Sequence, residues 1–288
     1  HCTTEDWSPQ FSFKFTKRPV RLGDINRETS FILKYFDVET PALMETVRLS
    51  VEDLNFDKIP PVSSDISLRM ALNIMNMNNV NSLPVVDENE QLVGIVTVGD
   101  IIQNYIDVWD NSVLGKSNAR TENIIDTLSG KGLVIPKQDK PFKGKILVLA
   151  MEAESLDAYI DDYDIVICGD RRDIQEVALN RNISLMVITG DGTLGDDLME
   201  VAREKNITVI STPHDTFTAS RLITQSVSID YVMTSDNLVY FALDDLVDDI
   251  KVYMSQTRYR SYPVVNHERK VVGSISRYHL ISSLKKKV

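Results

Sequence analysis

The stretch NSLPVVDENEQLVGIVTVGDII, Asn81 to Ile102, decides the reading because it recurs as RSYPVVNHERKVVGSISRYHLI, Arg260 to Ile281. Each copy runs Ser-x-Pro-Val-Val, a polar turn, Val-Gly, a second apolar segment and a helix start. Roughly a third of the aligned positions are identical without a gap, which is the signal of an internal repeat. The copies stand about 180 residues apart, too far for neighbours in a solenoid. They therefore predict two halves of one pseudo-symmetric unit with something inserted between them.

Around the first copy, Leu68, Ala71, Leu72 and Met75 follow a helical period, with Ser64, Asp65 and Ser67 as candidate caps. Ile59-Pro-Pro-Val62 suits a short edge strand, since proline cannot donate to a ladder. The order is strand, helix, strand, strand, helix. The second copy repeats it: a strand at Leu238 to Phe241, Asp244 as a cap, and a helix face of Leu246, Ile250 and Met254. Between the copies, Ile146 to Ala150, Ile165 to Cys168, Leu185 to Thr189 and Thr208 to Ser211 are continuous apolar runs. Such runs mark parallel strands buried on both faces. Amphipathic stretches separate them, so the insert is a parallel-sheet α/β domain. Residues 111–142 are expected as a polar connector. Before the first copy, Trp7, Phe11, Phe13 and Phe15 alternate as in a strand, and Leu43 to Leu54 carries a helical period.

The chain has 288 residues, a formal net charge of -11 and two cysteines. The charge disfavours nucleic acid and anionic membrane as partners, because phosphates are repelled. Cys2 and Cys168 form no disulfide framework or metal-knuckle spacing. Cys168 lies in an apolar run and is expected as a buried free thiol. No apolar run reaches the length of a membrane span, and no signal-peptide pattern opens the chain. A cytoplasmic location is expected, for a fragment of a longer protein.

The second strand of the first copy ends in Gly94-x-x-Thr97-Val98-x-Asp100. A hydroxyl at a strand end and amides at a helix start can face a phosphate or ribose, and an Asp can accept both hydroxyls of a ribose diol. Thr97 and Asp100 also suit plain helix capping. The second copy offers Gly273, Ser276, Arg277, Tyr278 and His279, with His in the place of Asp. Arg277 could grip a phosphate bidentately, and His279 could donate one bond. Arg258, Tyr259, Arg260 and Tyr262 cluster upstream, where an Arg could face phosphate and a Tyr stack on a base. Ser63 and Pro84 are weaker choices for a base-lining edge. Gly190-Asp-Gly-Thr-Leu-Gly195 has the dinucleotide spacing after a strand. Asp191, Asp196 and Asp197 crowd that helix start and would repel a pyrophosphate, so a turn and cap is the better reading. His214 and Asp215 suit a capping turn, and the histidines share no metal spacing.

The repeats resemble CBS motifs, which pair into a Bateman module, and the insert resembles a DRTGG domain. That order resembles the regulatory insert of CBS-containing family II inorganic pyrophosphatases, the manganese-dependent DHH-type enzymes. Arg21-Leu-Gly-Asp-Ile-Asn-Arg-Glu-Thr29 and Phe31 to Pro41 look like part of the first catalytic domain. Ser276-Arg-Tyr-His-Leu280 looks like the end of the second CBS motif. The resemblance implies these boundaries: 1–54, catalytic-domain remnant; 55–110, first CBS motif; 111–142, linker; 143–225, DRTGG-like domain; 226–284, second CBS motif; 285–288, the start of the DHH segment. The family's His and Asp-x-Asp metal motif has no match in residues 1–20, so no bound cofactor and no hydrolysis are expected of this chain. Manganese, magnesium or cobalt would belong to the parent enzyme. The resemblance also implies a homodimer that binds AMP, ADP, ATP or diadenosine polyphosphates, with AMP and ADP inhibiting and the others activating. It puts Arg277 and His279 at a phosphate. The alternatives are a catalytically active manganese-dependent pyrophosphatase, a nicotinamide binder using the glycine-rich turn, and a dimerisation module with no ligand.

Overall fold

The computed structural model describes residues 20–43, 48–106, 111–137, 142–156, 158–257 and 259–285. The chain divides into two units, His1–Leu49 and Ser50–Val288. The first holds β1 (Val20–Arg21) and its parallel partner β2 (Ala42–Leu43), joined through α1 (Arg27–Tyr35). Asn26 caps α1 by accepting the Thr29 N–H, and the helix buries none of its residues. The expected strand at Trp7 to Phe15 lies outside the described residues. Residues 44–47 of the helical period expected at Leu43 to Leu54 lie outside the described residues, and the described ones show a single 3₁₀ turn, Val51–Asp53. There Ser50 and Asp53 close a capping box that stops after one turn.

In the second unit the first copy consists of β3 (Val62–Ser63), α2 (Leu68–Asn78), β4 (Ser82–Val86), β5 (Leu92–Thr97) and α3 (Val98–Ile106). Of the candidate caps, Ser67 performs the task, accepting the Met70 N–H at 3.1 Å. The chain then forms α4 (Val113–Lys116), α5 (Thr121–Thr127) and β6 (Lys131–Val134). Residues 111–142 are thus more than a connector. They carry two short helices and a strand that joins the central sheet, because Ile124, Leu128 and Val134 are apolar enough to be buried. Next come β7 (Ile146–Val148), α6 (Ala153–Leu156), β8 (Ile165–Cys168), α7 (Arg172–Asn180), β9 (Leu185–Ile188), α8 (Asp196–Glu204), β10 (Thr208–Ser211) and α9 (Thr216–Leu222). The second copy follows as β11 (Phe241–Ala242), α10 (Val247–Gln256), β12 (Ser261–Val265), β13 (Val271–Ser276) and α11 (Arg277–Lys285). The strand expected at Leu238 to Phe241 starts only at Phe241. Asp244 does not cap α10, whose N-cap position is Leu246.

The two copies fold alike down to a register shift. Each is a three-stranded sheet, with order β3-β4-β5 or β11-β12-β13. The first pair is parallel and the second antiparallel, with an irregularity between Val85 and Val86 and between Val264 and Val265. Pro84 and Pro263 stand in the middle strands. Their missing N–H groups are tolerated because β3 and β11 are two residues long and pair only beyond the prolines.

The central sheet has the order β6-β10-β9-β8-β7. β7 to β10 are parallel and lie in chain order, and β6 pairs antiparallel with β10. Successive right-handed crossovers that step in one direction put their helices on one face. That face carries Val166, Cys168, Met186 and Ile188, packed with Ile174 and Ala178 of α7 and Leu198 and Ala202 of α8. The alternate residues Ile165, Ile167, Leu185 and Val187 turn the other way. They share one core with Ile124 of α5, Ala219 of α9 and Leu68, Ala71 and Leu83 of the first copy. The period-2 alternation of the buried strands therefore welds the insert to the first copy. Each fully buried Leu or Ile in that core contributes about 1.5–3 kcal/mol.

Candidate functional site

Two crossings bring the copies together. Thr234, ahead of the second copy, bridges to Ile95 of β5, with N–H···O distances of 2.9 and 3.0 Å. Asp57, ahead of the first copy, bridges to Ser274 of β13 at 2.8 and 3.1 Å. Each crossing passes over the repeat's glycine. A Cβ on Gly94 would stand 2.5 Å from Met233 Sδ, and one on Gly273 would stand 2.5 Å from the Asp57 carbonyl oxygen. The Val-Gly of the repeat is thus a close-approach residue that lets each half receive the other's lead-in segment.

Two residues beyond each crossing the strand ends in a cap. In the first copy the Thr97 N–H and Oγ1 both donate to Asp100 Oδ2 at 2.8 Å, and the Asp100 N–H donates to Thr97 Oγ1 at 3.2 Å. In the second, the Ser276 N–H donates to His279 Nδ1 at 3.0 Å, with Ser276 Oγ 2.9 Å from the same nitrogen. His279 thus imitates an aspartate by offering Nδ1 as the acceptor. Its proton then sits on Nε2, which lies 3.4 Å from Asp57 Oδ1.

Between the caps lies a cavity of about 660 Å³, a size suited to a small-molecule ligand. Thr97, Val98, Asp100, Tyr259, Arg260, Tyr262 and Ser276 line it. An adjoining cavity of about 420 Å³ is lined by Ser276, Tyr278 and His279 together with Asp57 and Lys58. The two meet along Asp57, Ile59, Asn79, Val80 and Ser276.

The remaining sequence candidates sit elsewhere. Arg277 Nη2 donates to the carbonyl of Met254, at 2.7 Å, and to that of Thr257. The guanidinium is taken up by carbonyls at the end of α10, where a cation is favoured, and it lines neither cavity. Ser63 is exposed on β3 and Pro84 is buried in β4, and neither lines the cleft. Arg258 lies outside the described residues. Tyr262 is 1 % exposed and packs on Phe241 and Tyr259 at centroid distances of 5.1 and 6.0 Å. Its ring is core, whereas Tyr259 is half-exposed in the cavity wall. Asp57, Asn79, Asn81, Thr234 and Asn237 were not among the sequence candidates. They sit on helix ends and crossing segments, where no repeated pattern marks them.

The glycine-rich turn is a turn. Gly190 has φ of 68° and Gly195 is the N-cap residue of α8. Asp197 is engaged bidentately by Arg172, which holds its carboxyl below the usual range. The strands it follows run in unbroken order. The reversal of strand order that opens a dinucleotide crevice is therefore missing from this sheet. Asp215 caps α9 by accepting from Thr218. Burial pushes the free Cys168 thiol up to about 12. Among the described residues no cluster of three or more His, Cys, Asp or Glu could hold a metal ion, and no helix is long and apolar enough to cross a membrane.

Residues 51–107 and 227–286 match the CBS domain and residues 123–226 the DRTGG domain. The fold and the cleft thus define a CBS pair split by a DRTGG domain. The chain is 52% identical over 270 residues to the cobalt-dependent inorganic pyrophosphatase of Clostridium perfringens, covering 94% of this chain and 49% of that protein. It is 27% identical over 270 residues, with the same coverage, to a probable manganese-dependent inorganic pyrophosphatase of Thermotoga maritima. It spans about half the length of these relatives. A crystal structure of the CBS and DRTGG domains of the regulatory region of Clostridium perfringens pyrophosphatase, complexed with the activator diadenosine tetraphosphate, aligns with a TM-score of 0.76 and 50% identity. That alignment covers 80% of this chain and 100% of the other. The chain belongs to the family of CBS–DRTGG regulatory regions of inorganic pyrophosphatases.

Proposed function

We propose that this chain is the adenine-nucleotide sensor of an inorganic pyrophosphatase and that the cleft between the two copies is its binding site. One observation carries this: a cavity of about 660 Å³ whose wall joins a strand-end hydroxyl and carboxylate, Thr97 and Asp100, to the exposed Tyr259 ring of the other copy. Asp100 Oδ2 is occupied by the cap, while Oδ1 takes no hydrogen bond among the described residues. It can accept from a ribose diol. The amides at the start of α3 can face a phosphate, and Tyr259 can stack on the base. The likeness to a regulatory region that binds diadenosine tetraphosphate supports the same ligand class here.

AMP and ADP lower the parent enzyme's activity, and ATP or diadenosine polyphosphates raise it. The chain works as a homodimer to which the DRTGG domain contributes, and a long diadenosine ligand bridges two clefts. Each ligand acts only through its different affinity for two states of the assembly. A coupling of roughly 1–3 kcal/mol suffices for useful regulation. The metal, cobalt or manganese by analogy with the relatives, and the hydrolysis belong to the parent enzyme outside this chain.

The test is a thermal melting screen against AMP, ADP, ATP and diadenosine tetraphosphate. Saturating ligand at 100 times its dissociation constant adds about 2.7 kcal/mol of stability and raises the melting temperature. A melting temperature unmoved by all four ligands contradicts the proposal and leaves a ligand-free dimerisation module.

A further inference from the structure

The insert carries two adjoining cavities whose charge is opposite to that of the cleft. One, of about 280 Å³, lies at the starts of β8, β9 and β10, where Lys143, Lys205 and Thr208 are among its lining residues. The other, of about 670 Å³, lies beside the end of β6 and is lined in part by Lys137 and Arg203. Pro136 and Asn206 belong to both. The cleft cavities include the acids Asp57 and Asp100. Among the described residues that line the two insert cavities there are four cations and no carboxylate. That is a local reversal in a chain with 42 acidic and 31 basic residues.

The helix ends nearby consume one of these cations and leave three. Lys205 Nζ donates to the last carbonyls of α7, those of Leu179 and Asn180, at 2.8 and 2.9 Å. The end of α8 is closed by backbone alone. The Asn206 N–H donates to the Arg203 carbonyl at 3.2 Å and the Ile207 N–H to that of Ala202 at 2.8 Å, with Asn206 at φ of 55°. This is a Schellman closure. It leaves the Arg203 guanidinium without a carbonyl to answer, and that side chain makes only a 4.0 Å approach to Met199 Sδ. The side chains of Lys137 and Lys143 make no hydrogen bond or ion pair among the described residues. Thr208 is only 5% exposed, yet its hydroxyl makes no hydrogen bond among the described residues.

We infer that these joined cavities bind a small, multiply charged phosphate anion. The planar fork of Arg203 suits two phosphate oxygens, and Lys137 and Lys143 supply point charges. The Thr208 hydroxyl and the Asn206 amide can donate to further oxygens. Phe142 and Ile183, each 2% exposed, give the smaller cavity an apolar wall. Such a wall lowers the local dielectric and strengthens charge contacts beside it. The site is separate from the cleft and stands whether or not the cleft takes a nucleotide. The phosphate can be free or esterified.

Calorimetry on the whole chain at constant ionic strength, with pyrophosphate and with glycerol 3-phosphate, tests this and tells the two sources apart. At least one of the two should bind. Lys143→Ala/Arg203→Ala takes one cation from each cavity and should weaken that binding by about tenfold or more, while circular dichroism is kept. Lys131→Ala/Arg171→Ala removes the same charge at the opposite end of the sheet, where Lys131 pairs with Ser211 and Arg171 follows β8, and should leave the affinity unchanged. Neither anion binding the unmodified chain, an affinity that survives Lys143→Ala/Arg203→Ala, or an equal loss in Lys131→Ala/Arg171→Ala overturns the assignment. Failure of AMP to bind would sink the cleft proposal and leave these readouts standing.

Discussion

The first and second copies share a scaffold and diverge at three corresponding pairs of positions at the cleft. Pro-Val-Val, the polar turn and Val-Gly build the same three-stranded sheet twice, with the same irregularity one residue beyond the proline-valine pair. Where the strands end, Thr97 and Asp100 stand against Ser276 and His279, and the crossing residues Thr234 and Asp57 are likewise unlike. Folding tolerates these changes because each cap still supplies an acceptor for the strand-end N–H. A nucleotide would not meet the two ends alike. The difference teaches that the repeat specifies a frame within which the chemistry of the strand ends can vary.

The glycines give the largest expected effect. Gly273→Val sets a side chain against the Asp57 carbonyl and the Phe56 ring, neither of which can yield cheaply. Gly94→Val meets the flexible end of Met233 first. Overpacking costs typically 1–3 kcal/mol. In urea unfolding the first variant should therefore lose about 3 kcal/mol and the second about 1 kcal/mol. Equal losses would mean that the two crossings are equivalent. Arg277→Ala should cost about 1 kcal/mol of stability through the freed carbonyls, visible as a lower urea midpoint with AMP affinity unchanged. The start of α2 depends on Ser67, whereas α10 has no side-chain cap at Leu246. Ser67→Ala should lower stability by about 0.5–1 kcal/mol, and Leu246→Ala should show no capping loss on helix fraying measured by amide exchange. The smallest effect is a pH dependence outside the copies. The Thr218 N–H and hydroxyl hold the Asp215 carboxyl below its ordinary value. Stability from this cap is therefore complete above the unfolded pKa and fades as pH falls through the folded one. Asp215→Asn should remove that acid-limb slope from melting curves.

The fold was largely legible because buried parallel strands and a gapless repeat are patterns of adjacent residues. Ile165 to Cys168 and Leu185 to Ile188 announce themselves by composition. β6 did not, since Lys131-Gly-Leu-Val134 has only half an apolar run and is held by antiparallel pairing to β10. Of the helical period expected at Leu43 to Leu54, the described end is a 3₁₀ turn, because Ser50 and Asp53 satisfy the chain within one turn. At the cleft, Thr97, Asp100, Ser276 and His279 could be found because the repeat aligns them. Asp57 and Thr234 could not, because their role comes from crossing the opposite copy. The partners of Arg277 were not legible either: from the first residue of α11 its side chain reaches carbonyls at the end of α10, 20 and 23 residues earlier.

Calorimetric titration of AMP into the unmodified chain, Asp100→Ala and Arg277→Ala tests the central claim most directly. Binding to the unmodified chain, at least tenfold weaker in Asp100→Ala and unchanged in Arg277→Ala, is the expected result; tenfold is about 1.4 kcal/mol. No binding to the unmodified chain, or a loss in Arg277→Ala with none in Asp100→Ala, would contradict a nucleotide site built on the first copy's strand end.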